Sequence, residues 1–202
     1  MANSRGKVIA LTADQIVARA TSMVGAKIYY RLEYPNGGTD PTAPDPAARW
    51  SKEHSSFVNI TCDCVGFAAW ASGFDRLQER RMPHVYDGRI NCDSMRIEAA
   101  SHGHCFMRLS RPELGCMVAY GSLDHDKDGH RDLAGHVGIV VGVPAEWDAT
   151  KRSCWAALDV IDCASRSPAV AIQHTSGSVW YGTRMGVPKN AWFIRSLMTP
   201  EN

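Results

Sequence analysis

Residues 60–74, ITCDCVGFAAWASGF, place two cysteines one residue apart in front of a run of small and apolar side chains. The run is apolar on nearly every side, which predicts a central, buried helix that begins near Asp63 or Cys64 and continues toward Leu77. Gly73 weakens the later part of this helix, because glycine has a low helix propensity. A helix start carries partial positive charge, and a thiol beside it ionises more readily. Cys64 is therefore a candidate nucleophile as well as a candidate buried core thiol.

Helices are also predicted on both sides of this segment. Thr12 and Gln15 have the spacing of a capping box, and apolar residues then recur at helical intervals. A shorter helix is predicted in NCDSMRIEAASHG, residues 91–103, with Asn91 or Asp93 as its cap. The N-terminal half of the chain is therefore expected to be mainly helical.

The chain changes character after residue 105. Short runs rich in β-branched and aromatic residues alternate there with turn residues, as in CMVAYG, HVGIVVGV, WAALDVIDC, AVAIQ and AWFIRSL. Helices first and strands after indicate an α+β fold, with N-terminal helices packed on one face of a C-terminal antiparallel β-sheet. We expect residues 1–202 to form a single domain, with a long loop insertion, dense in Pro, Gly and Asp, at about 34–56.

The composition excludes several classes of protein. With 45% hydrophobic and 21% charged residues it is typical of soluble globular proteins. The formal net charge of +1 gives no reason to expect nucleic acid or an anionic membrane as a partner. The N-terminus, MANSRGKVIALTADQ, has too short an apolar run for a secretory signal, and no segment has the apolar length of a membrane span. We therefore expect no signal peptide, no membrane anchor and synthesis in the cytoplasm.

Metal binding is not strongly indicated. Seven cysteines are spread through the chain without the paired CxxC spacing of a zinc knuckle. The segment DHDKDGHRD places Asp124, Asp126 and Asp128 as in the first half of an EF-hand loop, but Gly135 stands where that loop needs a bidentate glutamate. We expect no cofactor and no metal, with these three aspartates as a weak calcium candidate.

A thiol nucleophile also needs a base and a group that orients the base. His136 opens the predicted strand HVGIVVGV, where alternation puts Gly138 and Val140 on the same face and leaves the imidazole accessible. The next predicted strand offers Asp159 and Asp162, which alternation sends to opposite faces. The residue pattern leaves open which aspartate orients the histidine.

Four segments resemble successive signatures of the NlpC-type cell-wall cysteine peptidases, which belong to the papain-like superfamily: DCVGF (63–67), RPELGCMVAY (111–120), AGHVGIVVG (134–142) and VIDCASRSPAVAI (160–172). In that family a D-C-S-G-F/L motif carries the nucleophile at a helix start, G-H-V-G-I carries the base, and a polar residue just before A-S completes the triad. The resemblance implies a papain-like fold. It makes Cys64 the nucleophile, His136 the general base and Asp162 the orienting residue.

The resemblance also implies an activity. It points to a cysteine hydrolase that cleaves an amide bond in the peptide moiety of bacterial peptidoglycan, as an endopeptidase or an amidase. The expected partner is the peptide stem of the wall, reached after phage-type or contact-dependent delivery, with delivery machinery or a cognate inhibitor as further partners and a monomeric chain. The alternative is a catalytically inactive cell-wall-binding or phage tail module of the same fold.

Four more residues are candidates for contacts to the substrate or to the oxyanion. Members of this family often place a tyrosine beside the site, which here suggests Tyr30, and Asp63 directly precedes the nucleophile. Trp180 and Tyr181 form a glycine-flanked aromatic pair, and such pairs are often exposed. We interpret this pair either as a substrate-recognition flap or as part of the last strands of the core.

Overall fold

A computed structural model of the chain describes residues 11–26, 28–30, 49–51, 56–58, 61–74, 90–101, 104–122, 134–164, 170–184 and 187–197. The helices of this part of the chain are Ala13–Ser22 (α1), Cys64–Ser72 (α2), Cys92–Ser101 (α3) and Arg152–Ala156 (α4). Not one of these four helices has the length and hydropathy that crossing a membrane requires.

The strands of the described residues fall into one large sheet and three small pairs. The large sheet contains Phe106–Leu109 (β5), Met117–Tyr120 (β6), His136–Gly142 (β7), Asp159–Cys163 (β8), Ile172–Ser176 (β9) and Trp192–Ser196 (β12). The pairs are Tyr29–Tyr30 (β1) with Thr61–Cys62 (β4), Arg49–Ser51 (β2) with Ser56–Val58 (β3), and Thr183–Arg184 (β10) with Val187–Pro188 (β11).

The six-stranded sheet has the order β5-β12-β6-β7-β8-β9, and every neighbouring pair is antiparallel. The predicted α+β fold, with helices before an antiparallel sheet, is therefore confirmed. Strand β12 is the last of the described strands in the chain, but it lies between β5 and β6. The C-terminal part of the chain therefore completes the sheet.

Helix α2 packs against β7 and β8 and is buried along almost its whole length. It begins at Cys64, as predicted, with Asp63 as its N-cap. The helix ends at Ser72, because Gly73 adopts the left-handed conformation at φ 76° that closes a helix. The prediction that it continues toward Leu77 is wrong, and Leu77 itself lies outside the described residues.

Both faces of the sheet are buried at its centre, because alternate residues of β7 and β8 enter different cores. Val137, Ile139 and Ile161 pack with the helices in the first core cluster. Val140 and Val160 point to the other face and pack in a second cluster. His136, Gly138 and Asp162 alternate with the first set, so they share the face of Val140 and Val160.

The remaining predicted elements agree in part with the structure. The capping box of Thr12 and Gln15 is present at the start of α1, and Asn91 caps α3 by accepting from the Ser94 N–H at 2.8 Å. The predicted strand WAALDVIDC is a strand only over β8, since Trp155 belongs to α4. Strand β5 and helix α4 were not predicted.

Candidate active site

The start of α2 places Cys64 in the first helical turn. The residue before it, Asp63, is extended at φ −105° and ψ 176°, and its Oδ1 accepts from the Gly66 N–H at 2.6 Å. This carboxylate satisfies one of the N–H groups that have no partner within the helix. Asp63, a candidate for substrate contact, is thus a buried helix cap in the structure. The cap fixes the backbone that carries Cys64.

A short parallel ladder brings a tyrosine to this helix start. Strand β1 pairs with β4, with Tyr30 opposite Cys62, two residues before the candidate nucleophile. Burial, together with the negative charge of a Cys64 thiolate and of Asp63, raises the pKa of Tyr30 well above its usual value. Tyr30 therefore keeps its phenolic proton and is a hydrogen-bond donor beside the site.

His136 and Asp162 meet across strands β7 and β8. Asp162 lies opposite Gly138 in the ladder, and its side chain reaches the ring of His136, where the Nε2–H donates to Oδ2 at 2.7 Å. The side chain of Asp162 is fully buried and that of His136 is 14% exposed.

The other aspartate of β8 belongs to a different pair. Asp159 accepts from the Nδ1–H of His174 at 2.9 Å, and both side chains are about half exposed. Of the two aspartates that the residue pattern left open, Asp162 contacts His136 and Asp159 contacts a surface histidine.

Glycine at position 138 makes room for this contact. A Cβ atom on Gly138 would lie 2.7 Å from Val160 Cγ1, 3.0 Å from Trp180 Cζ2 and 3.1 Å from Asp162 Cβ. Such distances are too short for ordinary packing, so a side chain at this position would push apart the residues that support the histidine.

Trp180 supports the histidine from the second core. Its ring is edge-on to the His136 imidazole, with centroids 5.0 Å apart, and Tyr120 packs against both rings. Trp180 is 1% exposed and packs in the second core cluster, so of the two interpretations left open for this pair the structure supports a core position for this residue. Tyr181 is partly buried and its hydroxyl donates to the Thr150 carbonyl at 3.1 Å. Trp180 packs against His136 from within the second core cluster, and a buried residue of this kind does not form a substrate-recognition flap.

The surroundings of Cys64 favour its thiolate. Hydrogen bonding with Cys92, with His136 and with the backbone of Val137 lowers the pKa of Cys64 well below its usual value, although burial opposes this effect. Burial by itself lowers the pKa of His136, but the hydrogen bonds to Asp162 and Cys64 outweigh it and raise that pKa to about 9. A thiolate paired with an imidazolium is the favoured charge state.

Cys92 is the neighbour that sequence reasoning missed. Cys92 is the first residue of α3 and is far in the chain from the DCVGF and AGHVGIVVG segments. In the sequence it is one of seven scattered cysteines, and no motif distinguishes it. The one available signal was its place directly after the cap residue Asn91, which puts its thiol at a second helix start.

The weak calcium candidate cannot be placed. Asp124, Asp126 and Asp128 lie outside the described residues. Within the described ranges, no three His, Cys, Asp or Glu side chains are grouped as metal ligands would be.

A cavity of about 360 Å³ lies at the opposite end of α2 from Cys64. Ser72, the last residue of the helix, lines it together with Ile16 and Leu114. A nine-residue helix is about 13 Å long, so this cavity is separate from the candidate nucleophile.

The sequence matches no protein-family model and no curated protein. Among solved structures the chain is similar to two crystal structures of an N-acetylmuramoyl-L-alanine amidase from Bacteroides uniformis. Both have a TM-score of 0.45, at 10% and 11% identity, covering 92% and 91% of this chain and 99% and 98% of that chain. A protein of Bacteroides fragilis provisionally described as a xylanase has a TM-score of 0.43 at 12% identity, with 88% and 99% coverage. Similarity at these values does not transfer an activity.

Proposed function

We propose that this protein is a cysteine hydrolase that cleaves an amide bond in the peptide moiety of bacterial peptidoglycan. The observation that carries the proposal is the 2.7 Å contact between Nε2 of His136 and Oδ2 of Asp162. Hydrogen bonding with the same histidine lowers the pKa of Cys64, which lies at the start of a buried helix. A thiol, an imidazole and a carboxylate in this order are suited to acyl transfer. The substrate class is supported by the four segments that resemble NlpC-type peptidases.

The first half of the proposed reaction forms a thioester. The Cys64 thiolate attacks the amide carbonyl carbon, and the electron pair of the C=O bond moves to oxygen. The imidazolium of His136 then gives its proton to the nitrogen of the leaving amine as the C–N bond breaks. Asp162 holds the ring in one orientation and stabilises its positive charge, because its carboxylate is buried and accepts from Nε2.

The second half hydrolyses the thioester. Neutral His136 takes a proton from water, the hydroxide attacks the acyl carbon, and Cys64 leaves as a thiolate. The backbone N–H of Cys64, in the first turn of α2, is a suitable donor to the oxyanion of both steps. Tyr30 is a second candidate donor, because it remains protonated next to Cys64.

The test is digestion of purified peptidoglycan by the wild-type chain, by Cys64→Ala and by Cys154→Ala, with released fragments identified by mass spectrometry. Cys154 is a partly buried thiol of α4 and is a matched control for loss of a cysteine. We expect fragments from the wild type and from Cys154→Ala, and none from Cys64→Ala. The new termini distinguish an endopeptidase from an amidase.

A negative result has a defined meaning as well. The proposal fails if no fragments appear from walls of several chemotypes while Cys64 reacts with iodoacetamide no faster than Cys154. That combination would favour the inactive wall-binding or tail module.

A further inference from the structure

Two arginines lie over one tryptophan ring near the candidate active site. The guanidinium carbon of Arg96, on α3, is 4.7 Å from the centre of the Trp192 ring, and that of Arg108, on β5, is 3.8 Å from it. Arg108 is exposed, whereas Arg96 and Trp192 are partly buried. The attraction between a cation and the face of an aromatic ring restricts where the guanidinium groups lie. The proposed reaction gives neither arginine a part.

The sheet places these arginines at the same end as His136. Trp192 is the first residue of β12 and lies opposite Ala119 of β6. His136 is the first residue of β7 and lies opposite Tyr120, the next residue of β6. Neighbouring strands are about 4.8 Å apart, so the backbone of Trp192 is about 10 Å from that of His136, or about three residues of extended peptide. Trp192 also packs against the core cluster that contains Cys64.

Close contacts along the end of β6 connect Arg96 to the strand of His136. A Cβ atom on Gly135, directly before His136, would lie 3.2 Å from the carbonyl carbon of Gly121. A Cβ atom on Gly121 would in turn lie 2.5 Å from Nη1 of Arg96. Because neither position carries a side chain, the guanidinium of Arg96 lies directly against the end of β6, which pairs with the strand of His136.

The positive charge of the two arginines is not neutralised by an ion pair. None of the ion pairs among the described residues includes Arg96 or Arg108. Burial lowers the pKa of Arg96, the charge of Asp93 opposes this effect, and the charge of Arg108 adds to it. Both carboxylate oxygens of Asp93 accept from Ser122, Oδ1 from its N–H and Oδ2 from its O–H, each at 2.7 Å. The Nε–H of Arg96 is buried and has no hydrogen-bond partner.

We propose that Arg96 and Arg108 form, beside Trp192, a binding site for a free carboxylate of the peptide stem. This inference rests on the proposed function for the identity of the ligand. The planar guanidinium groups, which stay protonated at neutral pH, donate parallel N–H groups to the two oxygens of a carboxylate. A carboxamide in its place has no charge and only one accepting oxygen. The site therefore distinguishes stems with free carboxylates from stems in which they are amidated.

The test is equilibrium binding of two purified stem peptides to Cys64→Ala, measured by isothermal titration calorimetry. One peptide has free carboxylates, and the other has the same sequence with every carboxylate amidated. We expect the amidated peptide to bind more weakly, on the order of tenfold. Adding Arg96→Gln or Arg108→Gln to Cys64→Ala should weaken binding of the free-carboxylate peptide by a similar factor and leave binding of the amidated peptide unchanged.

Arg19→Gln is the matched control, because Arg19 of α1 lies over the ring of Trp70 at 4.6 Å. It removes the same charge and the same kind of contact from another part of the molecule, so binding of both peptides should stay unchanged. Labelling of Cys64 with iodoacetamide, followed by mass spectrometry, is measured in chains that retain Cys64. It shows whether each arginine variant keeps the candidate site intact.

The inference is overturned if the two peptides bind equally to Cys64→Ala, or if neither binds. It is also overturned if Arg19→Gln weakens binding of the free-carboxylate peptide as much as Arg96→Gln does. The comparison of the two peptides needs no change to either arginine, so it decides the question even where an arginine variant folds poorly.

Binding is measured without cleavage, so the two proposals fail separately. If digestion of peptidoglycan fails while the arginine-dependent preference for the free carboxylate is observed, the proposed hydrolase is lost and the binding site stands. If digestion succeeds, KM for amidated stems must be higher on the order of tenfold, with kcat little changed. Equal KM values for the two kinds of stem would overturn the carboxylate site and leave the hydrolase intact.

Discussion

His136 and Asp162 set the protonation state of the candidate site. Asp162→Asn keeps the shape of the side chain but removes the charge that stabilises the imidazolium. We expect the rate of peptidoglycan cleavage to fall by about 10²–10⁴-fold. The pKa of His136 is raised to about 9 in the folded protein, so the imidazolium, and with it the activity, is lost as pH rises through about 9. In Asp162→Asn this alkaline limb moves to lower pH, which a pH–rate profile measures.

Asp159→Asn is the control for this change, because it removes the same charge from the same strand. Asp159 contacts His174 at the surface, and its side chain is 49% exposed. We expect its pH–rate profile to match the wild type. Equal losses in the two variants would mean that Asp162 contributes only to the general charge of β8.

Individual residues of the candidate site could be predicted where the signal lies in their immediate sequence neighbours. Cys64 follows a helix cap and His136 opens a strand, and both features are visible within a few neighbouring residues. The choice of Asp162 over Asp159 depends on the register that pairs Gly138 with Asp162, which is a property of two strands together. The position of Cys92 depends on the packing of α3 against β5 and β6, which no local pattern contains.

Helix α2 gives the clearest test at the scale of an element. Asp63→Ala removes the carboxylate that accepts from the Gly66 N–H. We expect a loss of about 0.5–2 kcal/mol in the free energy of unfolding. For a chain of this size the melting temperature should fall by roughly 2–4 °C per kcal/mol. We also expect slower labelling of Cys64, because the first turn of α2 loosens. Calorimetry and labelling measure the two effects.

Thr12→Ala provides the comparison, since it removes an equivalent cap from α1. It should lower the melting temperature by a similar amount and leave the labelling rate of Cys64 unchanged. Asp63→Asn keeps an accepting oxygen and should retain most of the stability. If Thr12→Ala slows labelling as much as Asp63→Ala, the cap of α2 has no special part in placing the nucleophile.

Helices and strands could be predicted from the sequence when they were long enough to show a cap or a hydrophobic periodicity. Helix α1 has its capping box, and β7 has seven residues of clear strand composition. Strand β5 has four residues, including an arginine, and α4 has five residues without a side-chain cap. Both are too short to show the hydrophobic periodicity by which a strand or a helix is predicted. The overestimated length of α2 has a single cause, the left-handed backbone at Gly73.

At the scale of the whole molecule, β12 joins β5 to the rest of the six-stranded sheet. It pairs with β5 on one side and β6 on the other, and its Phe193 and Ile194 are buried. A chain that ends at Asn190 lacks this strand and leaves β5 without its neighbour. We expect such a chain to lose cooperative thermal unfolding, measured by circular dichroism, and to lose the selective labelling of Cys64.

A chain that ends at Leu197 retains all of β12 and is the control. We expect it to unfold cooperatively near the melting temperature of the full chain. Cooperative unfolding of the chain that ends at Asn190 would show that the other five strands form a stable sheet without β12.

The order of strands was not predictable from the sequence. The hydrophobic pattern identified β12 as a strand, but a similar composition in β6, β7 and β8 gives no preference for one neighbour over another. The placement of the last strand inside the sheet follows from the packing of Phe193 in one core and Ile194 in the other.

The central position of β12 also affects when the protein becomes active during its synthesis. A ribosome adds about 5–20 residues per second from the N-terminus onward, so Cys64, His136 and Asp162 emerge before residues 192–196 do. Until then β5 and β6 lack the strand that joins them, and the cores on both faces of the sheet stay incomplete. The nascent chain therefore carries all three residues of the candidate site without a fold that assembles them. We therefore expect the proposed hydrolase to be inactive until residues 192–196 have emerged.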